Sequence, residues 1–191
     1  DLPFQELNIA EGFNDGLMGN TVSGITEAGP ISRVVQNPDG TNSTLYHDAA
    51  IFISHNGQGP TRPGVTAWDL NTDMANGSYN IDMIPSNDVR AIVADDWGVH
   101  VATDVAPLVH WNGSLMQMET GVSTSSLLSW PPYQMHSDGQ YLVVMSPRGL
   151  DVVDVDGSHD VISNRVITGL QGGYIDFSGF YAVGNDGLHV Y

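Results

Sequence analysis

The stretch Val89-Arg-Ala-Ile-Val-Ala-Asp-Asp-Trp-Gly-Val-His-Val-Ala-Thr103, followed by Pro107-Leu-Val-His-Trp-Asn-Gly113, reads as three short strands separated by turns. Val89–Ala94 and Val99–Thr103, mostly apolar apart from Arg90, His100 and Thr103, are runs of strand length without helical periodicity. Asp95-Asp96-Trp97-Gly98 breaks them with a turn, and Asn112-Gly113 ends the third run just after an aromatic. A run apolar at consecutive positions, such as Val99–Thr103, has to bury both of its faces.

The same plan recurs three times. Tyr46-His-Asp-Ala-Ala-Ile-Phe-Ile-Ser54 leads to Gly64-Val-Thr-Ala-Trp-Asp-Leu-Asn71, and Tyr133-Gln-Met-His-Ser-Asp-Gly-Gln-Tyr-Leu-Val-Val-Met-Ser146 leads to Gly149-Leu-Asp-Val-Val-Asp-Val155. Tyr174-Ile-Asp-Phe-Ser-Gly-Phe-Tyr-Ala-Val-Gly184 leads to Gly187-Leu-His-Val-Tyr191. The equivalent second-strand positions Ile51, Val99, Tyr141 and Tyr181 stand 48, 42 and 40 residues apart. A period of about 40 to 45 residues with about four strands per unit is that of a propeller blade. One such sheet cannot cover both of its faces alone, so each stacks on its neighbours around an axis. Shorter, more polar outer strands are expected at Ser114–Glu119 and Val161–Ile167.

Asp95 to Trp111 fits the pattern Asp-x-x-Gly-x-x-x-(Ala/Gly)-Thr-x-x-x-x-(Leu/Val)-x-x-(Trp/Tyr), and in this it resembles the two-component-regulator propeller repeat. Pro85-Ser-Asn-Asp-Val-Arg-Ala-Ile92 resembles that repeat's lead-in, and Leu17-Met-Gly-Asn-Thr-Val-Ser-Gly-Ile25 echoes it. The resemblance covers residues 43–191 well and 1–42 poorly. It implies an all-β propeller and no particular ligand, since such repeats serve sensors, scaffolds and enzymes alike.

The expected organisation is four blades of four antiparallel strands over 43–84, 85–128, 129–170 and 171–191, preceded by an N-terminal segment 1–42. The fourth blade lacks an outer strand, which Phe4–Ile9 is expected to supply, and residues 20–36 are expected to form part of a fifth blade. Two closures follow: a small five-bladed ring, or an arc of a larger propeller. The chain stops at Tyr191 directly after an apolar run, as at a cut edge or a closing seam, and Asp1 opens with neither a basic nor an apolar leader.

Five arginines and no lysine stand against 22 acidic residues, for a net charge of −17. That charge repels phosphate backbones, so nucleic acid is excluded as a partner, and anionic membranes and sulfated polysaccharides are disfavoured. The acidity reads either as solubility in salt or as cation binding by Asp-rich loops. Cysteine is absent, which excludes disulfides and thiolate chemistry. No apolar run approaches the roughly 20 residues of a membrane span. Sequons at Asn42, Asn76 and Asn112 accord with an extracellular or cell-surface setting.

Candidate site residues fall in three groups. Asp154, Asp156, Ser158 and Asp160 offer oxygen ligands at alternate positions, as Ca²⁺ loops do. They are similar to the calcium loops of integrin-type blades, although Gly157 comes early and Ser158 replaces a carboxylate. Ca²⁺ is therefore the one cofactor considered, against a plain hairpin turn. His47 and His136 hold similar first-strand positions and are expected to point towards the central channel, where a structural bond to the neighbouring blade is the competing role. Trp130-Pro-Pro-Tyr133 stiffens a loop carrying two aromatics, for stacking on a sugar or peptide or for packing between blades. Arg148, with Arg62 and Arg90, is one of the few positive anchors and is expected at a rim. His100 and His110 are expected to be cross-strand neighbours.

These features point to a non-catalytic binding or assembly module outside the cytoplasm, with a glycan, peptide or protein as ligand. A propeller lyase or hydrolase using channel histidines and carboxylates is the rival. A purely structural blade array, self-associating through an open edge near Tyr191, is the third reading.

Overall fold

The structure is a computed structural model, and it describes residues 22–36, 39–47, 49–55, 64–70, 74–79, 84–96, 98–105, 108–111, 118–120, 127, 131–155, 161–176 and 179–190. Phe4–Ile9 lies outside the described residues.

All regular structure among them is β. The first sheet has the order β1 (Val22–Ala28), β4 (Ala50–His55), β5 (Val65–Asp69), β6 (Met74–Tyr79). The second is β7 (Val89–Asp95), β8 (Gly98–Thr103), β9 (Val109–Trp111), β10 (Met118–Thr120). The third is β11 (Gln134–Ser137), β12 (Tyr141–Ser146), β13 (Gly149–Asp154), β14 (Val161–Val166). The fourth has three described strands, β15 (Gly172–Asp176), β16 (Gly179–Gly184) and β17 (Gly187–Val190). Every pairing is antiparallel between sheet neighbours.

The first strands touch in succession, β1 on β7, β7 on β11 and β11 on β15, so they form the inner rim. The second strands explain the stacking. In β12, Leu142 and Val144 join a cluster with Ala91, Ala102 and Leu108 of the second sheet. Val143 and Met145, pointing the other way, join Phe180 and Ala182 of the fourth. The same alternation in β8 sends Val99 and Val101 to Phe52 and Val65 of the first sheet, and Ala102 to the third. Sheets buried on both faces by sheets like themselves are the construction of a β-propeller.

The opening of the chain departs from expectation. Residues 42–47 are not a blade's first strand. They form β3 (Asn42–His47), paired, among the described residues, with β2 (Ile31–Gln36) in a separate hairpin. A local turn explains the capture: Asp39 Oδ1 accepts bonds from the Thr41 amide at 2.9 Å and its hydroxyl at 2.6 Å, and Gly40 adopts φ 82°. The first sheet instead takes Val22–Ala28 as its inner strand, with Ile25 opposite Ile53 and Thr26 opposite Phe52. Of the residues 20–36 expected in a further blade, the described ones, Val22–Gln36, are divided between that sheet and the hairpin.

Candidate functional site

The seam between the second and third sheets holds a polar trio in which the side chains of Asp95 and His100 are buried and Ser137 is half-buried. Asp95 closes β7, and its Oδ1 accepts the Gly98 amide at 3.2 Å across the turn. Its Oδ2 lies 2.8 Å from His100 Nε2 and 2.7 Å from Ser137 Oγ of the third sheet. A carboxylate only accepts, so imidazole and hydroxyl both donate to it. The side chains of His100 and Asp95 are 4% and 2% exposed. His100 stacks on His110, its cross-strand neighbour, with ring centroids 4.7 Å apart and planes inclined by 19°. Activating a serine would need the imidazole between hydroxyl and carboxylate. Here the carboxylate is in the middle, so the trio ties one blade to the next. The sequence reading treated Asp95 as a turn residue and passed over Ser137. The usable signal was an Asp ending one first strand and a Ser ending the next.

The seam between the third and fourth sheets gathers two of the candidates. His136 stands in β11 with its Nε2 3.0 Å from Gln134 Nε2. It also bonds the Gly173 backbone, and burial nevertheless lowers its pKa from the ordinary 6.5. Tyr133 donates its hydroxyl to the Leu170 carbonyl at 3.0 Å, and its amide to Met145 O at 2.9 Å. Partial burial raises the phenol's pKa from the ordinary 10.0. Gly173 has no room for a side chain: a Cβ would lie 2.5 Å from the Phe180 ring and 2.7 Å from Tyr181 O. His136 therefore bonds a bare backbone stretch of the neighbouring blade.

Arg148 sits exposed in the β12–β13 turn. It borders a shallow groove of about 370 Å³ with Pro147, Val166, Ile167, Thr168 and Gly169. Antiparallel order puts that turn at the same end of the strands as the β14–β15 and β16–β17 connections. There the Asn185 amide donates to Thr168 O at 2.9 Å, and Gln171 Nε2 donates to Asn185 Oδ1 at 3.4 Å. His189 and Asp186 pair at 2.9 Å nearby, and the His189 bond lowers the exposed Asp186 carboxyl below its ordinary 3.8. Tyr133, 37% exposed, joins this end through Leu170. Sequence reading found Arg148 and Tyr133 here and missed Gln171 and Asn185, which only the sheet topology brings to them.

The remaining candidates are placed elsewhere or lie outside the described residues. His47 is on β3, opposite Ile31, so it is not on an inner strand and has no equivalence with His136. Trp130 lies outside the described residues, as do Asp156, Ser158 and Asp160. Asp154 ends β13 opposite Tyr141. Among the described residues no three acidic or histidine side chains converge as a metal site would require. Also among them, no helix is long and apolar enough to cross a membrane.

No family model matches the chain, and no curated protein does. A solved structure does. The extracellular domain of a protein described as a hybrid two-component system, from B. thetaiotaomicron, matches with a TM-score of 0.57 over 98% of this chain. The likeness is one of fold. Identity is 15%, and the match spans 30% of the longer chain.

Proposed function

We propose that this chain is the ligand-holding part of a receptor or sensor working outside the cytoplasm, built from repeats of the two-component-regulator kind, and that it binds a saccharide without transforming it. The observation that carries this reading is the group at one end of the third and fourth sheets. The groove beside exposed Arg148 is bordered by the Thr168–Gly169 turn, to which Asn185 bonds, and Gln171 and Tyr133 join the same group of connections through Asn185 and Leu170. Planar amides and a guanidinium match paired sugar hydroxyls, and an aromatic edge suits the apolar face of a sugar ring. The net charge of −17 favours neutral saccharides over sulfated ones. The fold likeness to an extracellular domain of a signalling protein supports the setting. The inward, seam-tying use of Asp95, His100 and Ser137 supports a binding role over a hydrolytic one.

A glycan array followed by calorimetric titration of the best hit tests the proposal. Binding is expected, with the glycan recovered intact. Arg148→Ala and Asn185→Ala are each expected to weaken it about tenfold, equivalent to about 1.4 kcal/mol. Binding that neither substitution changes, or turnover of the glycan, would refute it.

A further inference from the structure

Arg148 is held by its backbone and free at its tip. With Pro147 it makes the turn between β12 and β13, closed by the pairing of Ser146 with Gly149. Its carbonyl accepts the Ile167 amide at 3.1 Å, which ties the turn to the connection leaving β14. Pro147 stiffens the turn further, since its ring fixes φ. The Arg148 side chain is exposed, and no carboxylate among the described residues pairs with it. Arg90, by contrast, is paired with Asp88 at 2.6 Å. A guanidinium left unpaired on a chain of 22 acidic residues and five arginines keeps its charge for a ligand.

The groove it borders is lined otherwise by Pro147, Val166, Ile167, Thr168 and Gly169, so no acidic side chain lines it. Asp186, at the same end of the strands, is held by His189. Charges more than a Debye length away, about 8 Å at physiological salt, are largely screened. A group in the groove therefore meets the guanidinium ahead of the distant carboxylates. Exposed Thr168 adds a hydroxyl, and Pro147 and Val166 add accessible apolar surface. A cationic fork, a hydroxyl and an apolar wall are complementary to a sugar ring that carries one carboxylate.

We infer that the saccharide held here is a uronic acid whose carboxylate Arg148 grips in a two-pronged pair. This rests on the saccharide reading above and narrows it. Two parallel bonds from a guanidinium to a carboxylate are stronger than bonds to neutral hydroxyls. A sulfated chain would set a dense row of charges against the field of the whole molecule, whereas a uronic acid brings a single charge to the guanidinium.

NMR titration of the isotope-labelled chain with D-glucuronate and D-galacturonate, each against its methyl ester, tests the inference. Acid and ester share ring and hydroxyls and differ in the charge. At low salt one of the acids is expected to bind about tenfold tighter than its ester. Added salt should shrink that preference. Arg148→Gln, at an exposed turn position, should bring acid and ester to equal affinity with an unchanged circular dichroism spectrum. Arg148→Lys keeps the charge without the fork and should retain only part of the preference. Acids that bind no better than their esters up to about 50 mM would overturn the inference. So would a preference that survives Arg148→Gln. Neutral glycans that bind in either case would leave the saccharide reading standing, whereas failure of every glycan and of both acids would remove the two together.

Discussion

The two seams flanking the third sheet solve one problem in opposite ways. Towards the second sheet, β11 offers half-buried Ser137 to Asp95, and the buried carboxylate also holds buried His100 in one polar knot. Towards the fourth sheet, the tie is made of two separate bonds to backbone, Tyr133 to Leu170 and His136 to Gly173, laid over a strand with no side chain at the contact. The first seam depends on complete satisfaction of buried polar atoms. The second depends on close approach of backbone. Buried networks are costly when broken, and close approach is costly when filled.

The largest effect should come from cutting the knot. Asp95→Ala leaves a buried imidazole and a half-buried hydroxyl without their acceptor, and is expected to cost about 3 kcal/mol in urea unfolding. Gly173→Ala at the other seam should cost about 1–3 kcal/mol, because one obstacle is the Tyr181 carbonyl, which cannot swing away. Tyr133→Phe removes one partly exposed hydrogen bond and should cost about 1 kcal/mol or less. If Gly173→Ala proved harmless and Tyr133→Phe severe, the contrast between the seams would be reversed.

The smallest effect distinguishes the seams by pH. Burial lowers the pKa of His136, and also that of His55 beside Thr66, from the ordinary 6.5. The unfolded chain then binds protons first as the pH falls, so stability is full above 6.5 and is lost from there down through the folded values. His136→Asn should make the stability–pH curve shallower in that window. The exposed carboxyls of Asp39 and Asp186, also lowered, act in a separate window below 3.8.

The period legible in the sequence rests on the second strands. Ile51, Val99, Tyr141 and Tyr181 fall on β4, β8, β12 and β16, each the second strand of its sheet. They are readable because strands buried on both faces are apolar at consecutive positions. First strands are harder to read. Val22–Ala28 alternates between exposed and part-buried positions and carries Ser23, Thr26 and Glu27, so it lacks an apolar run. Asn42–His47 has a comparable composition, and only the Asp39–Gly40 turn assigns it to a hairpin. The knot was hidden for another reason. Ser137 meets Asp95 across 42 residues, and strand alternation within one repeat says nothing of which neighbouring turn a side chain will reach. The groove beside Arg148 was half legible, since Asn185 and Gln171 join it from a different repeat.

The claim on which the account turns is that Asp95 and Ser137 act together to lock one blade on the next. A double-mutant cycle with Asp95→Asn and Ser137→Ala, followed by chemical unfolding, measures that directly. The account predicts a coupling of about 1–2 kcal/mol between the two sites. Strictly additive losses would mean that the two residues do not act as a unit, and the polar seam would have to be abandoned.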